Sequence, residues 1–388
     1  MVHPFLMGLL RGADPATLPA PTPADWEAIV SDAATHGFTP LLHRRLRGSE
    51  IGGQLPAGLA ERLEAQAAGS AARNLILADE LASILRAFDE RKLACAPLRG
   101  LALAERLYGD ITARPMGDID LLVRKADLAD VGGLLRSLGF AEMDRRPGFA
   151  RAFSYTLKFF KDRHGWIIVE PHWTLTYPPF VDRLETDQLL ARCLGGQVVG
   201  LQTRVLPADE LLFHLCLHLT HRDGTAPLLW YYEIDQLLRR EAALVDWSWF
   251  LSLAHQTRLE FLLGRVLGTV RALFATPMPD PLLDRLRLER PRSLEGRLLR
   301  LLAQGSRVDG VESLGMLFAL KGLRAKLRYA LALLAPSPEF MLLQYGLTRR
   351  RQLGAAYARR VCGFGREAAK GATTLLLPPG RRAAGDPG

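Results

Sequence analysis

The residues best suited to chemistry in this chain are acids that alternate along short apolar runs. In Met116-Gly117-Asp118-Ile119-Asp120-Leu121-Leu122-Val123, two aspartates flank one isoleucine. Strand side chains alternate faces, so Asp118 and Asp120 point the same way while Ile119 points into a core. Close carboxylates raise each other's pKa unless a cation neutralises them, and Mg²⁺ is a hard cation suited to carboxylates that also face phosphates. The pair is therefore a candidate metal site. In Trp166-Ile167-Ile168-Val169-Glu170-Pro171-His172-Trp173 the same period puts Glu170 and His172 on one face. Upstream, Leu98-Arg99-Gly100-Leu101 reads as a strand end, a basic residue and a glycine leading into an apolar helix. The amides at that helix start could receive a phosphate, with Gly100 allowing close backbone approach and Arg99 adding charge.

Other segments must position these groups. Residues 93–98 fit a short buried strand, and residues 101–107 a helix. Residues 126–138 carry Leu128, Val131, Leu134, Leu135 and Leu138 at helical spacing, closed by Gly139. Residues 140–144 and 151–161 read as strands, and Asp162-Arg163-His164-Gly165 as a hairpin turn into the Glu170 strand. Before them, residues 25–36 and 56–93 read as helices, the second with a stripe formed by Leu75, Leu77, Leu81, Ile84, Leu85 and Phe88. From Pro207 onward the pattern is helical. His214, His218 and His221 share one helix face at i, i+4 and i+7, but no acid completes a zinc motif, and packed, hydrogen-bonded histidines are the commoner outcome.

The order glycine turn, Asp-x-Asp strand, then a third acid on a later strand resembles the polymerase β-like nucleotidyltransferase superfamily. Arg99-Gly100, Tyr108-Gly109-Asp110, Arg114, Asp118 to Val123 and Glu170-Pro171-His172-Trp173 are similar in wording to one bacterial subgroup, the uncharacterised nucleotidyltransferases. The resemblance covers roughly the middle third of the chain. It implies an α+β fold: a small mixed β-sheet nucleotidyltransferase domain over residues 91–205, flanked by N-terminal helices over 1–90 and a C-terminal helical domain over 206–375; the Pro, Gly and Arg content of the end predicts a disordered tail over 376–388. It also implies transfer of a nucleotidyl group from an NTP, ATP first, to an unidentified small-molecule, peptide or protein acceptor. Asp118, Asp120 and Glu170 would then be catalytic and hold Mg²⁺ or Mn²⁺. Arg99, Gly100 and Arg114 would bind nucleotide, while His172, His218, His221 and Asp235 would line the acceptor cleft or support the acids. Leu101 stands where the wider superfamily carries a second small residue, so the phosphate grip would be shared with Arg99 and Arg114. Arg114 could instead pair with Asp110 or Asp118.

Composition sets the remaining bounds. The chain has 388 residues, enough for two or three domains, and its 48% hydrophobic and 23% charged residues suit a folded globular protein. A net charge of +9 favours an anionic partner. The rival readings are a catalytically silent nucleotidyltransferase fold that binds nucleotide, and a nucleic-acid-binding protein, although no specific nucleic-acid motif is present. Cys95, Cys193, Cys216 and Cys362 are scattered without a Cys-x-x-Cys pair, the usage of a reducing compartment. The first ten residues lack the basic start and long apolar stretch of a signal peptide, so the expected address is a bacterial cytoplasm. Residues 314–334 are apolar but interrupted by Lys321, Arg324, Lys326 and Arg328. Packing on neighbouring helices is a better reading for them than peripheral contact with an anionic membrane.

Overall fold

Alternation along residues 118–123 and 166–172 produces the two strands on which the computed structural model is centred; it describes residues 2–144, 146, 148–220, 226–286 and 311–376. The fold is α+β. A five-stranded sheet has the order β1-β2-β5-β4-β3, built from β1 (Cys95–Pro97), β2 (Asp118–Val123), β3 (Ala141–Glu142), β4 (Phe159–Asp162) and β5 (Trp166–His172). β2 and β5 run parallel, and every other neighbouring pair is antiparallel. A second, two-stranded sheet is the hairpin of β6 (Leu194–Val198) and β7 (Leu201–Val205).

Helices cover both faces of the main sheet. Before it come α1 (Pro4–Leu10), α2 (Pro23–His36), α3 (Thr39–Leu46) and α4 (Ala57–Glu90). Between the strands lie α5 (Leu101–Tyr108), α6 (Leu128–Ser137), α7 (Phe149–Phe153) and α8 (Thr186–Arg192). After the hairpin follow α9 (Ala208–Thr220), α10 (Leu228–Glu241), α11 (Trp247–Thr257), α12 (Glu260–Phe274), α13 (Asp280–Leu286), α14 (Val311–Ala319), α15 (Leu323–Leu334), α16 (Pro338–Gln344) and α17 (Leu353–Leu376).

The period-two rule decides what each sheet face meets. Ile119, Leu121 and Val123 pack with Leu77, Leu81, Ile84, Leu85 and Phe88 of α4 and with Leu128, Val131, Leu134 and Leu135 of α6. Leu122, on the other face, joins a larger apolar cluster that draws on α1 to α3 and on α9 to α13. The two acids of β2 therefore open toward the side on which α9 lies. Asp120 and Leu98 are tied across β1 and β2 by a backbone hydrogen bond of 3.0 Å, which fixes where the turn at Arg99 and Gly100 begins.

Several expectations change in the structure. Residues 151–153, expected as strand, belong to α7. Phe149 and Phe153, at i and i+4, meet as tilted rings 5.2 Å apart, and Phe153 packs on Tyr329 of α15, so a helical aromatic pair overrides local strand propensity. Leu75, counted in the buried stripe of α4, is 58% exposed. The β6–β7 hairpin was not expected, because Gly195 and Gly196 dilute its strand signal; it turns through Val199 and Gly200, both at positive φ. The apolar stretch 314–334 is two helices separated by a break near Gly322. Met316, Tyr329 and Leu333 are buried against Phe153, whereas Leu323, Leu327 and Leu331 are exposed. Among the described residues no helix is long and apolar enough to cross a membrane. Of the tail expected to be disordered, 376–388, Leu376 ends α17 and residues 377–388 lie outside the described residues.

One charge cluster anchors α9. Arg192 of α8 donates to Glu210 Oε1 and to Asp209 Oδ2, both at 2.9 Å, and Trp249 Nε1–H donates to Glu210 Oε1 at 3.2 Å. Burial pushes Glu210 up to about 7, against the pull of Arg192. Its folded pKa thus lies above the ordinary 4.5, so the folded state holds more protons between these values and stability falls as pH rises through that window. We expect Glu210→Gln to flatten the decline between pH 5 and 8, with an amplitude on the order of 3 kcal/mol removed. Urea midpoints of both proteins across that range measure it, and parallel curves would exclude Glu210 as the source.

Candidate functional site

The parallel pairing of β2 with β5 sets Asp120 directly opposite Glu170, and Leu122 opposite His172. Neighbouring strands lie ~4.8 Å apart, so side chains on the same face at this register meet. Ligand atoms of Asp120, Glu170 and His172 all lie within 4.8 Å of one another, and all three residues are buried. Asp118, one pleat earlier and half-buried, lines the same cavity of about 240 Å³. Arg99, Lys158, Glu170, His172, His214 and His218 also line it, with walls from Tyr155, Tyr177, Leu175 and Leu217.

Cations compensate the acids. Arg99 reaches Asp120 Oδ2 through Nη2 at 2.6 Å and Nε at 2.8 Å, and it also contacts His218 Nε2. His172 Nε2–H donates to Asp120 Oδ1 at 3.0 Å. Lys158 Nζ lies 2.5 Å from Glu170 Oε1. Burial works to raise the Asp120 pKa, but Arg99 and the His172 hydrogen bond overcome it and hold the carboxyl well below the usual range. Asp118 has less cationic help: burial, then the charge of Asp120, pushes it up to about 6. Two carboxylates of one strand are thus set apart by which of them owns the arginine.

The donor set fits a divalent cation. It offers hard carboxylate oxygens with one imidazole nitrogen, close enough to share a centre, and Asp118 adds a further acid in the same cavity. The tight cluster differs from the expected trio of Asp118, Asp120 and Glu170, because His172 completes it in place of Asp118. Gly100 adopts φ +57 at the N-terminal cap of α5, a backbone that side-chain-bearing residues rarely take, and the Asp118 carbonyl oxygen would lie 3.6 Å from any Cβ placed there.

Arg114 lies elsewhere. It is buried, and its Nε is 2.7 Å from Glu233 Oε1 of α10, so neither Asp110 nor Asp118 is its partner. Its Nη1 donates to the Gly100 carbonyl at 3.4 Å, and Asn74 of α4 donates to the Arg114 carbonyl at 2.7 Å. The side chain expected at phosphate instead braces the turn from behind. Asp235 does not line the cavity either: Arg239 Nε and the Thr276 hydroxyl both donate to its buried carboxylate. His218 lines the cavity, and His221 lies outside the described residues.

Sequence reading missed Lys158, whose position before β4 carries no motif, and Tyr155 and Tyr177. His214 was seen only as one of an aligned set. It is buried beside the cavity with neither ring nitrogen hydrogen-bonded, and burial pushes its pKa down to about 3.

Two stability outcomes follow from this burial. Glu233→Ala leaves the Arg114 guanidinium buried without its partner, which should lower stability by about 3–5 kcal/mol; a loss near the surface-mutation scale would show that water reaches Arg114. His214→Leu removes unpaired polar atoms at similar volume, so the melting temperature should hold or rise near neutral pH. Because the folded pKa of His214 lies below its ordinary value, the wild type should also lose stability as pH falls from 6.5, a loss the leucine variant escapes. Thermal unfolding at pH 5 and pH 7.5 separates the two proteins.

No curated protein matches the chain. Two solved structures resemble it weakly. A solution structure of the antibiotic-resistance factor ANT(2'')-Ia is 20% identical, covers 52% of this chain and 96% of its own, and gives a TM-score of 0.32. A crystal structure of ANT(2'')-Ia in complex with adenylyl-2''-tobramycin is 18% identical, with coverage of 47% and 97% and a TM-score of 0.35. The sequence model of the uncharacterised nucleotidyltransferases matches residues 22–275, a span that includes the glycine turn, both acid-bearing strands and α9 to α12. The chain belongs to that nucleotidyltransferase family.

Proposed function

We propose that the protein is a metal-dependent enzyme that transfers a nucleotidyl group from an NTP, ATP first, to an acceptor brought to the cavity between β2, β5 and α9. The observation that carries this reading is the register of β2 with β5, which makes Asp120 and Glu170 direct neighbours with His172 beside them.

Asp120, Glu170 and His172, with Asp118 in the same cavity, would hold Mg²⁺ or Mn²⁺. When bound, such an ion supplies Lewis-acid stabilisation of the phosphate charge. His172 holds Asp120 in place through its Nε2–H. Arg99 and Lys158 are N–H donors in the cavity wall and would meet phosphate oxygens, with the Gly100 turn keeping the backbone close. Glu170 would take the proton of the acceptor group as that group's oxygen bonds to the α-phosphorus. The bond from that phosphorus to the bridging oxygen breaks, and pyrophosphate leaves with its electron pair. His218, Tyr155 and Tyr177 line the same cavity and would flank the acceptor.

Incubation with α-labelled ATP, Mg²⁺ or Mn²⁺ and a cell extract should place label on an acceptor. Asp120→Asn should remove both Mn²⁺ binding and labelling, while Glu170→Gln should keep nucleotide binding and slow transfer by about 10²-fold. Arg99→Ala should weaken ATP binding by about 1–3 kcal/mol, whereas changes at Arg114 should act through melting temperature. Undiminished labelling by the Asp120→Asn protein would sink the assignment. Nucleotide binding without label transfer to any acceptor would favour the silent, nucleotide-binding reading.

A further inference from the structure

The Tyr108-Gly109-Asp110 stretch lies at the far end of α5 from the catalytic turn, ~12 Å along the helix from Gly100. Its parts have separate tasks. Gly109 caps α5 in the left-handed conformation. Asp110 Oδ1 accepts from the Thr112 amide at 2.8 Å and from the Thr112 hydroxyl at 2.7 Å, closing the turn. Tyr108 has no such role: its hydroxyl is buried and hydrogen-bonds to nothing in the protein. A buried hydroxyl without a partner has lost its bond to water and gained none, so a position of this kind calls for a partner.

The Tyr108 side chain is part of the wall of a cavity of about 70 Å³ between α1, α3, α5 and α10. The floor is apolar, from Leu6, Leu9, Phe38 and Leu42. Its polar lining consists of Arg44, Arg45, Arg240, Gln236, Tyr108 and Tyr232, with no carboxylate among them. Arg45 hydrogen-bonds to the Tyr232 hydroxyl, which aims that guanidinium at the cavity. Among the described residues, the carboxylate within 4 Å of any of the three arginines is Asp110, 3.5 Å from Arg44. Arg45 and Arg240 have none. Three guanidinium groups on one small cavity repel one another, and a multiply charged anion is the ligand that relieves this. A space of this size suits one tetrahedral oxyanion.

We propose that this cavity binds phosphate, as the free dianion or as the terminal group of a small phosphoester, at a site distinct from the acid-lined cavity. Arg45 and Arg240 grip the oxygens, Arg44 adds charge at the rim, and the Tyr108 hydroxyl donates to the oxygen that points inward. A phosphoester would leave its organic part toward solvent. The proposal does not depend on which nucleotide or acceptor the other cavity takes.

The test is calorimetric titration of the full chain with inorganic phosphate and, separately, with glycerol 3-phosphate. Saturable binding is expected, weakened about tenfold or more in Arg45→Ala/Arg240→Ala, as befits lost charge-assisted contacts, and weakened less in Tyr108→Phe. Arg62→Ala, at a residue that lines neither cavity, should bind as the wild type does. Tighter binding of glycerol 3-phosphate assigns a phosphoester, and equal binding assigns the free ion. Absence of saturable binding overturns the proposal. So does binding that survives the double substitution but is lost in Arg99→Ala, since that places the phosphate among the acids. The arginines are exposed, so the double variant should fold, and Tyr108→Phe supplies an independent reading with the charge intact.

Discussion

Parallel pairing of β2 with β5 is the constraint on which the rest of the site depends. It makes Asp120 and Glu170 lateral neighbours and brings His172 against Asp120. Carboxylates held that close are tolerable only when cations answer them. Arg99 answers Asp120 from the end of β1, and Lys158 answers Glu170 from the approach to β4. The chain thus supplies one cation from each side of the central strand pair, and both also line the cavity. Asp118, beyond Arg99's bonding reach, keeps a raised pKa; burial and its neighbour's charge make it the acid most in need of an added cation.

A second layer makes that arrangement rigid. Arg114, Glu233 and Asn74 form a buried polar group joining the connector before β2 to α10 and α4, with a contact back to the Gly100 carbonyl. A charged pair with so little exposure is poor evidence of net stabilisation, because desolvation offsets attraction. Its value lies in direction: the partners cannot part without leaving a buried charge, so the turn carrying Arg99 is held in register with the helices behind it. The same logic applies at α9, where Arg192 spans Asp209 and Glu210. His214 and His218 then reach the cavity from the same helix.

The apolar packing is divided in a way that serves this layout. One sheet face is sealed by α4 and α6 with apolar side chains, giving β2 a close-packed back. The other face gathers the histidines, tyrosines and acids beneath α9, while helices from both ends of the chain close the larger core around it. Farther along, α14 and α15 pack on α7 through Phe153, Met316 and Tyr329, an arrangement that holds residues 151–153 as helix where strand was expected.

The sequence by itself determined what repeats locally. Period two placed Asp118 with Asp120 and Glu170 with His172, and period 3.6 placed the inward faces of α4 and α6 and the shared face of His214 and His218. Backbone chemistry located the turn at Gly100. These features depend on residues only a few positions apart. Tertiary structure decided which strand lies beside which, and therefore that Asp120, rather than Asp118, shares the tight cluster with Glu170 and His172. It also decided every charge partner: Arg114 pairs with Glu233, Asp235 with Arg239, and Lys158 entered the site from a segment without a motif. Charge pairing acts through space between groups that may be separated by over a hundred positions, as Arg114 and Glu233 are, and no periodicity along the chain encodes it.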